Sequence, residues 1–480
     1  MWHRFRTKKV YWLPNSSLQY FTSLAGYKHV VLKQTTRQMK QLVLTLCTLF
    51  VFTTCLFAQK PSQQKTVIKN VNLISIDPSR PQLEPRMDVY IENGMIKKIQ
   101  ATSDKTHKGY TIIDGSNKYL IPGLADMHVH LPTKSAAIHT RDFYLLNLLS
   151  GITTIRQMRG KPADLVLRDS INKGLVLGCH TYISTPFFKN NKIFTAAACR
   201  DSLVLYKQQG YDFVKYLYGL KFAEYDTLME IAASLNMKLV GHAPNNDLTK
   251  AVRSGQRSIE HIDPFIALYR KDSLLFWKTI DTMVAKGLYH LPNVQWYIST
   301  GTRTAMNKKR EVYSKNAYGL ELIPKDSLES MVKAYRDDEI KYYMGNPIGF
   351  ARGILSDSEY IVTYQHLMPG MYRKGVLFLI SATSDDFIIP GYNCIDEMKN
   401  FTDAGIPIWE TIKFATYNAA ACLDDLNKWG TITEHKQADM VLLNANPLEN
   451  IENLRKVEAT IINGNVLTHD YLLSELKKGK

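Results

Sequence analysis

The run Tyr119-Leu-Ile-Pro-Gly-Leu-Ala-Asp-Met-His-Val-His130 is an apolar stretch that ends in two histidines separated by one residue. If it forms a β-strand, His128 and His130 project from the same face, because side chains alternate along a strand. Two neutral imidazoles at a strand end are suitable metal ligands. A half-buried strand with two hydrogen-bonded polar residues would have the same pattern, so this run alone does not establish a metal site.

Seven further β-rich runs follow this one, most of them separated by about 20–35 residues, the length of a strand–helix unit. They cover residues 151–158, 180–186, 212–219, 238–243, 257–262, 289–296 and 376–386. The spacing predicts a parallel (β/α)8 TIM barrel over residues 121–426. The stretch 297–375 is longer than one unit needs, so we expect an insertion there that shapes or covers the site.

Short strands separated by turns flank the predicted barrel on both sides. Asn93-Gly94 and Asn463-Gly464 each lie between alternating apolar residues, which is a strong hairpin signal. We therefore expect a small β-sandwich domain built jointly from residues 59–120 and 427–480.

Residues 1–58 contain eight basic residues, no acidic residue and an apolar run of sixteen residues at 42–57. This pattern predicts an upstream segment and a secretory signal peptide cleaved near Ala58, and hence export to the periplasm or the extracellular space. The run is short for a membrane span, which needs about 20 residues, so no stable span is expected after cleavage. Thr54 is bulkier than the residue that usually precedes a lipidated cysteine, which disfavours an anchor at Cys55.

Half of the net charge of +16 comes from this leader. The rest of the chain has 52 basic and 44 acidic residues, a net charge of +8 that is spread along the sequence. A nucleic-acid groove would need a basic stripe with interleaved aromatic residues, so nucleic-acid binding is not expected. Beyond the leader the cysteines are widely separated, which excludes a zinc knuckle and a dense disulfide frame but leaves one disulfide open.

On the predicted barrel, polar residues collect at the carboxyl ends of strands, where the active sites of such barrels lie. They are His128 and His130 on the first strand, Lys215 on the fourth, His242 on the fifth, His261 on the sixth and Asp385 on the eighth. Each residue alone has an ordinary structural explanation. Because buried parallel strands should be apolar, six such residues at one end of a barrel favour a metal site.

Lys215 is the cation of this set, and a charged ammonium would repel metal ions. Burial and neighbouring cations lower the pKa of a lysine, which leaves a neutral amine. A neutral amine can react with carbon dioxide to form a carbamate, a carboxylate-like anion able to bridge two metals. The alternative is a structural lysine paired with an acid on the barrel wall.

Several motifs of the chain, in order, resemble those of the amidohydrolase superfamily, specifically the imidazolonepropionase-like and prolidase branch. They are IPGLADMHVH (121–130), GITTIRQM (151–158), GYDFVKYL (210–217), LVGHA (239–243), SIEHI (258–262), SATSDD (381–386), FATYNAAACL (414–423) and WGTITEHKQADMVLLNANPLENI (429–451). The resemblance runs from about residue 66 to about residue 468. No single motif would carry it, but their order and spacing do.

The resemblance implies a site for two divalent metal ions, with zinc expected. The implied ligands are His128, His130 and Asp385 for one ion, His242 and His261 for the other, and carbamylated Lys215 between them. A metal-bridging hydroxide would attack an amide carbonyl, and Asp385 would pass the proton to the leaving nitrogen. Asp386 competes with Asp385 for this role.

Three positions depart from the pattern of the family. The usual Gly-Thr-Asp appears here as Thr383-Ser384-Asp385, and the aspartate that commonly follows the arginine of the second strand is Gln157. In the tail motif, His435 stands where glycine is usual. None of these departures removes an implied metal ligand, so they bear on substrate and local packing.

The sequence therefore predicts an exported, binuclear-metal amidohydrolase that cleaves a C–N bond, with a prolidase-like or dipeptidase-like substrate favoured over a cyclic amide. Tyr218 and Arg156 are candidates to face the substrate, against a core tyrosine and a structural arginine. A mononuclear amidohydrolase, a deaminase of a small nitrogen heterocycle and a non-enzymatic envelope binding protein are the alternatives. Residues 263–375 are expected to carry much of the substrate choice, and a homo-oligomer is left open.

Overall fold

Strands and helices alternate along the chain as the sequence predicts. The computed structural model describes residues 65–103, 107–132, 138–189, 194–298, 357–383 and 389–478. Its strands are β1 (Lys65–Leu73), β2 (Glu84–Glu92), β3 (Met95–Ala101), β4 (Thr111–Asp114), β5 (Tyr119–Pro122), β6 (Leu124–Val129), β7 (Ile152–Gln157), β8 (His180–Ile183), β9 (Phe188–Lys189), β10 (Val214–Tyr218), β11 (Leu239–Gly241), β12 (Ser258–Glu260), β13 (Tyr289–Leu291), β14 (Leu377–Phe378), β15 (Met440–Leu443), β16 (Val457–Ile462) and β17 (Asn465–Thr468).

The α-helices of the described residues are α1 (Thr140–Leu149), α2 (Pro162–Asn172), α3 (Ala196–Gln209), α4 (Phe222–Ser234), α5 (Leu248–Ser254), α6 (Asp263–Lys271), α7 (Ser273–Ala285), α8 (Val294–Trp296), α9 (Asp357–Lys374), α10 (Tyr392–Asp403), α11 (Ile408–Phe414), α12 (Tyr417–Cys422) and α13 (His469–Lys477). The predicted leader 1–58, residues 299–356 of the predicted insertion, and Asp385 with Asp386 lie outside the described residues.

Eight parallel strands form the predicted barrel. One sheet has the order β6-β7-β8 and the other the order β14-β13-β12-β11-β10-β9, in which the two-residue β9 pairs with β10 in addition to the eight barrel strands. A parallel bridge between Ser184 and Phe213 joins β8 to β10. On the other side, Met127 N donates to Ile380 O at 3.0 Å, so β6 meets the segment after β14 and the ring closes. The TIM-barrel prediction is confirmed.

Strands from both chain ends form one mixed sheet of eight strands, in which β15 pairs with β5. Its two Asn-Gly hairpins have left-handed backbone, with φ of +51° and +77° at Asn93 and Gly94 and +49° and +75° at Asn463 and Gly464. This conformation suits the two-residue turns that match strand twist. The composite β-domain predicted from the two chain ends is confirmed, and its described strands belong to a single hydrogen-bonded sheet.

The barrel core is apolar where the pattern requires it. All residues of β6 and β7 are buried, as expected for parallel strands covered on both faces. Phe378 of β14 packs against Phe401 and Phe414 of the outer helices, with ring centroids 5.2 and 5.5 Å apart. These contacts hold the outer helices on the strands that carry the site.

Two further predictions concern the whole described chain. Its four cysteines, Cys179, Cys199, Cys394 and Cys422, are buried free thiols, so the disulfide left open by the sequence is not formed among them. No helix of the described residues is long and apolar enough to cross a membrane.

Candidate active site

The barrel brings four of the predicted histidines together at the carboxyl ends of its strands. The ring centroids of His128 and His130 are 5.3 Å apart, those of His128 and His261 5.2 Å, and those of His261 and His242 4.7 Å. His128 is buried, whereas the other three are partly accessible to solvent. In the part of the chain that the structure describes, no three His, Cys, Asp or Glu side chains are arranged as a ready metal-binding group.

Lys215 lies in β10, and its side chain is buried beside these histidines. Among the described residues its Nζ has no hydrogen-bond partner. Burial lowers its pKa to about 8, against the opposing effect of Glu260. Burying an amine without a hydrogen-bond partner reduces the stability of the folded state, which favours a functional role for Lys215.

Two of the imidazoles, those of His128 and His242, are held in the neutral form. Burial lowers the pKa of His128 well below its usual value, and the charge of Lys215 adds to this. Burial also lowers the pKa of His242 well below its usual value, with a second contribution from His261. Neutral imidazole is the form that ligates metal ions. His128 and His242 are therefore in the protonation state that a metal site requires.

Glu260 connects the cluster to the barrel interior. Its Oε2 lies 3.0 Å from His128 Nδ1, and its Oε1 accepts from Arg156 Nη2 at 2.9 Å and from Ser258 Oγ at 2.6 Å. Arg156 also donates to Met127 O at 2.6 Å. All of these groups are buried, so Glu260 fixes the ring of His128 and leaves Nε2 as its free ligand atom.

Gln157 stabilises the chain just after His130. Its Oε1 accepts from Leu131 N at 3.2 Å, and its Nε2 donates to Asp164 Oδ2 at 3.0 Å. An aspartate here would place two carboxylates against each other, and its shorter side chain would change both contacts. The glutamine at position 157, which departs from the family pattern, is thus accommodated by its own hydrogen bonds to Leu131 and Asp164.

The two candidate substrate residues differ in their surroundings. The guanidinium of Arg156 is buried and bonded to protein groups, which favours the structural role. Tyr218 ends β10 with 51% of its surface exposed, so it is not a core residue. Asp385 and Asp386 lie outside the described residues, and their roles stay predictions.

Two aromatic residues that the sequence did not single out flank the cluster. The rings of Trp296 and Tyr297 lie 6.1 and 6.5 Å from the ring of His261, between centroids. Tyr297 also donates to Asp263, the residue at the start of α6. Both residues follow β13 in the chain. Their position directly after a barrel strand is the sequence feature that could have identified them as site residues.

A separate cavity of about 530 Å³ lies where the first residues of β8 meet the segment after α12. Its polar groups bond to each other: Tyr182 donates to Asp425 at 2.5 Å, and Trp429 Nε1 donates to Tyr182 at 3.1 Å. None of the predicted site residues lines it. The cluster at the strand ends, with its unpartnered amine, is the better candidate for chemistry.

The fold and the cluster together define an α/β-barrel enzyme with its site at the carboxyl ends of the strands. Residues 119–467 match the model of the amidohydrolase family. The chain therefore belongs to this family, a class of hydrolases that act on carbon–nitrogen bonds and are typically metal-dependent.

Individual proteins resemble this chain in sequence over a short segment and in structure over most of its length. A dihydroorotase of Trichlorobacter lovleyi is 48% identical over 56 residues, which is 12% of this chain and 13% of that protein. The structure of an Xaa-Pro dipeptidase with bound methionine superposes with a TM-score of 0.64 at 18% identity, covering 84% of this chain and all of that one. A prolidase complexed with N-methylphosphonate-L-proline gives a TM-score of 0.62 at 18% identity over the same share of this chain and all of that one.

Proposed function

We propose that this protein is a binuclear-metal amidohydrolase that cleaves the amide bond of a dipeptide, with Xaa-Pro dipeptides favoured. The observation that carries the proposal is the unpartnered, buried amine of Lys215 beside a cluster of histidines at the catalytic end of the barrel. The likeness to a prolidase and an Xaa-Pro dipeptidase over their full length supports the substrate class.

The proposed metal ligands are those implied by the sequence, with zinc as the proposed metal. His128, His130 and Asp385 would hold one ion, His242 and His261 the other, and Lys215 both. In forming its carbamate, Lys215 Nζ bonds to the carbon of carbon dioxide and releases one proton. The result is an anion, which removes the conflict between an ammonium and two cations.

The bound ions would supply Lewis-acid activation of the attacking water and of the substrate carbonyl. The protein itself has two tasks in this proposal. Glu260 and Arg156 keep His128 in one orientation, and the bound substrate would displace water from the strand ends. Asp385 would accept a proton from the attacking water and deliver it to the leaving nitrogen.

Substrate and metal are tested together on purified protein. The zinc-loaded protein is offered Xaa-Pro dipeptides, other dipeptides, lactams and dihydroorotate, with chelator-treated protein as the control. We expect the fastest hydrolysis with Xaa-Pro dipeptides and inhibition by N-methylphosphonate-L-proline, the molecule bound to the similar prolidase. A panel with no hydrolysis at all would overturn the proposal and favour a binding protein.

A cyclic amide is the second candidate, because the local match at 48% identity is to a dihydroorotase. Faster hydrolysis of dihydroorotate than of any dipeptide would establish it. Release of ammonia from a nitrogen heterocycle would point instead to a deaminase. Metal analysis separates the binuclear proposal from a mononuclear enzyme, which would hold one ion per chain.

We further propose that the protein is exported after cleavage near Ala58. The support is the basic start and the apolar run 42–57 followed by a polar stretch. N-terminal sequencing of the protein from the cells that make it tests this. A mature protein that begins before residue 42 would contradict cleavage.

A further inference from the structure

Asn293 lies in the turn that follows β13, beside the histidine cluster. Leu291, two residues before Asn293, ends β13, and its backbone carbonyl accepts from His261 N at 2.8 Å. The backbone carbonyl of Asn293 accepts from Trp296 N at 3.1 Å and from Tyr297 N at 3.4 Å. The same turn therefore positions the two aromatic rings that flank His261.

The side chain of Asn293 is fully buried, yet it is not satisfied. Neither Oδ1 nor Nδ2 has a hydrogen-bond partner among the described residues. Buried amide groups are nearly always bonded, because each lost bond to water has to be replaced. A carboxamide with both its acceptor and its donors unused is complementary to a ligand that carries one of each.

The left-handed backbone alone does not explain why position 293 is an asparagine. Asn293 has a φ of +56°, in the left-handed region that asparagine tolerates. Glycine would adopt the same conformation without burying an unsatisfied amide. The turn is also fixed from outside, since Glu397 accepts from Val294 N at 3.0 Å and from Gln295 N at 2.6 Å. The turn that carries the carboxamide is thus held rigidly.

We propose that the Asn293 carboxamide binds the N-terminal residue of the substrate, an inference that rests on the proposed dipeptidase function. Nδ2 donates to the carbonyl oxygen of that residue, and Oδ1 accepts from its α-ammonium group. In an Xaa-Pro dipeptide the peptide nitrogen carries no hydrogen, so the ammonium group is the donor that the substrate offers. Asn293 is then a specificity-determining residue that selects for a free amino terminus.

The test compares L-alanyl-L-proline with propionyl-L-proline, which lacks the amino group. The zinc-loaded wild type is expected to prefer the first by about tenfold or more in kcat/KM. Asn293→Gly keeps the left-handed turn, so we expect an unchanged unfolding midpoint and metal content but loss of this preference. Asn236→Gly is the matched control, because Asn236 is also left-handed, at +51°, but exposed and remote from the site.

Calorimetric titration of metal-free protein with L-alanyl-L-proline gives a second readout without turnover. Weaker binding by Asn293→Gly than by wild type and by Asn236→Gly supports the inference, even if the loaded enzyme hydrolyses neither compound and the proposed function fails. Equal binding and an unchanged substrate preference in Asn293→Gly would reduce Asn293 to a turn residue. Failure of wild-type protein to bind L-alanyl-L-proline would overturn the inference as well.

Discussion

Left-handed backbone in two regions of this protein, the terminal β-sheet and the catalytic end of the barrel, differs in the residues that adopt it. In the terminal β-sheet it is found in the hairpins Asn93-Gly94 and Asn463-Gly464, and also at Arg86 in β2 and Ile76 after β1. Asparagine and glycine adopt this conformation at little cost, and both turns connect strands with the appropriate twist. Local sequence and local structure therefore agree in these two hairpins.

At the catalytic end of the barrel, three successive strands are followed by non-glycine residues in the same conformation. They are His261 after β12 at +71°, Asn293 after β13 at +56° and Thr383 after β14 at +56°. A β-branched residue there is a genuine outlier. Strained backbone concentrates at functional sites, where the surrounding structure holds it in place. We therefore expect His261, Asn293 and Thr383 to serve side-chain placement at this end of the barrel, at some cost in stability.

The largest effect is expected from the unpartnered amine. Lys215→Met removes the proposed bridging group, so kcat/KM on L-alanyl-L-proline should fall by about a thousandfold or more and bound zinc should decrease. The metal-free variant should unfold no more easily than wild type, because an unsatisfied buried amine has been removed.

Lys436 in the β-domain is the matched control, since its amine donates to Thr431 Oγ1 at 2.7 Å. Lys436→Met should leave activity and zinc content unchanged and lower stability slightly. If Lys215→Met retained two zinc ions, or if Lys436→Met were the variant that lost them, the contrast between the two regions would be wrong.

Glu260→Gln tests the buried network below His128. Removing the negative charge leaves Arg156 buried without a counter-charge, which should cost about 3–5 kcal/mol of unfolding free energy. Zinc affinity should fall about 10–100-fold, because His128 loses the partner of its Nδ1. Denaturant titration and competition with a zinc chelator measure the two effects.

Glu458→Gln is the corresponding change in the β-sheet, where the carboxylate pairs with Lys118 at 2.6 Å and its side chain is 40% exposed. Solvent screens this pair, so we expect a loss below about 1 kcal/mol and unchanged zinc affinity. Equal losses of unfolding free energy from the two substitutions would show that the ion pair of Glu260 contributes no more than an exposed one.

The barrel and the four clustered histidines were predictable because they depend on short-range patterns. Strand runs recur at a regular spacing, and the carboxyl ends of parallel strands meet at one end of a barrel. His242 and His261 are therefore neighbours although nineteen residues separate them. The β-sheet was predictable from its Asn-Gly turns.

The supporting groups of the site were not predictable in the same way. Glu260 bonds to His128 and Arg156 across 132 and 104 residues of chain, and only the closed barrel brings them together. Its signal was a charged residue inside a strand that should be apolar. Asn293 is also hidden in the sequence, because asparagine after a strand ordinarily indicates a turn.

Glu397 should make the stability of the catalytic end depend on pH. Burial raises its pKa from 4.5 to about 8, against the opposing hydrogen bonds from Gln295 N and Val294 N. Below about pH 4.5 the carboxyl group is protonated in both states and contributes no difference. Between pH 4.5 and 8 the unfolded state loses this proton first, so the folded state is progressively destabilised.

Glu397→Gln keeps an acceptor but cannot ionise. Its unfolding free energy relative to wild type should therefore rise from pH 4.5 to pH 8, by on the order of a few kcal/mol. Denaturant titrations at several pH values measure this difference. A difference that stays constant across the range would mean that Glu397 is already ionised in the folded protein.

The smallest expected effect compares Thr383 with His435, the two left-handed positions where the family commonly has glycine. Thr383 is buried and β-branched, its φ is +56°, and its hydroxyl has no partner among the described residues. Thr383→Gly should therefore raise the unfolding free energy by about 1 kcal/mol, because strain and an unsatisfied hydroxyl are both removed. His435 in the β-domain has a φ of +70°, but histidine adopts this region more readily, so His435→Gly should gain less. A larger gain at His435 would place the greater strain in the sheet and contradict the contrast between the two regions.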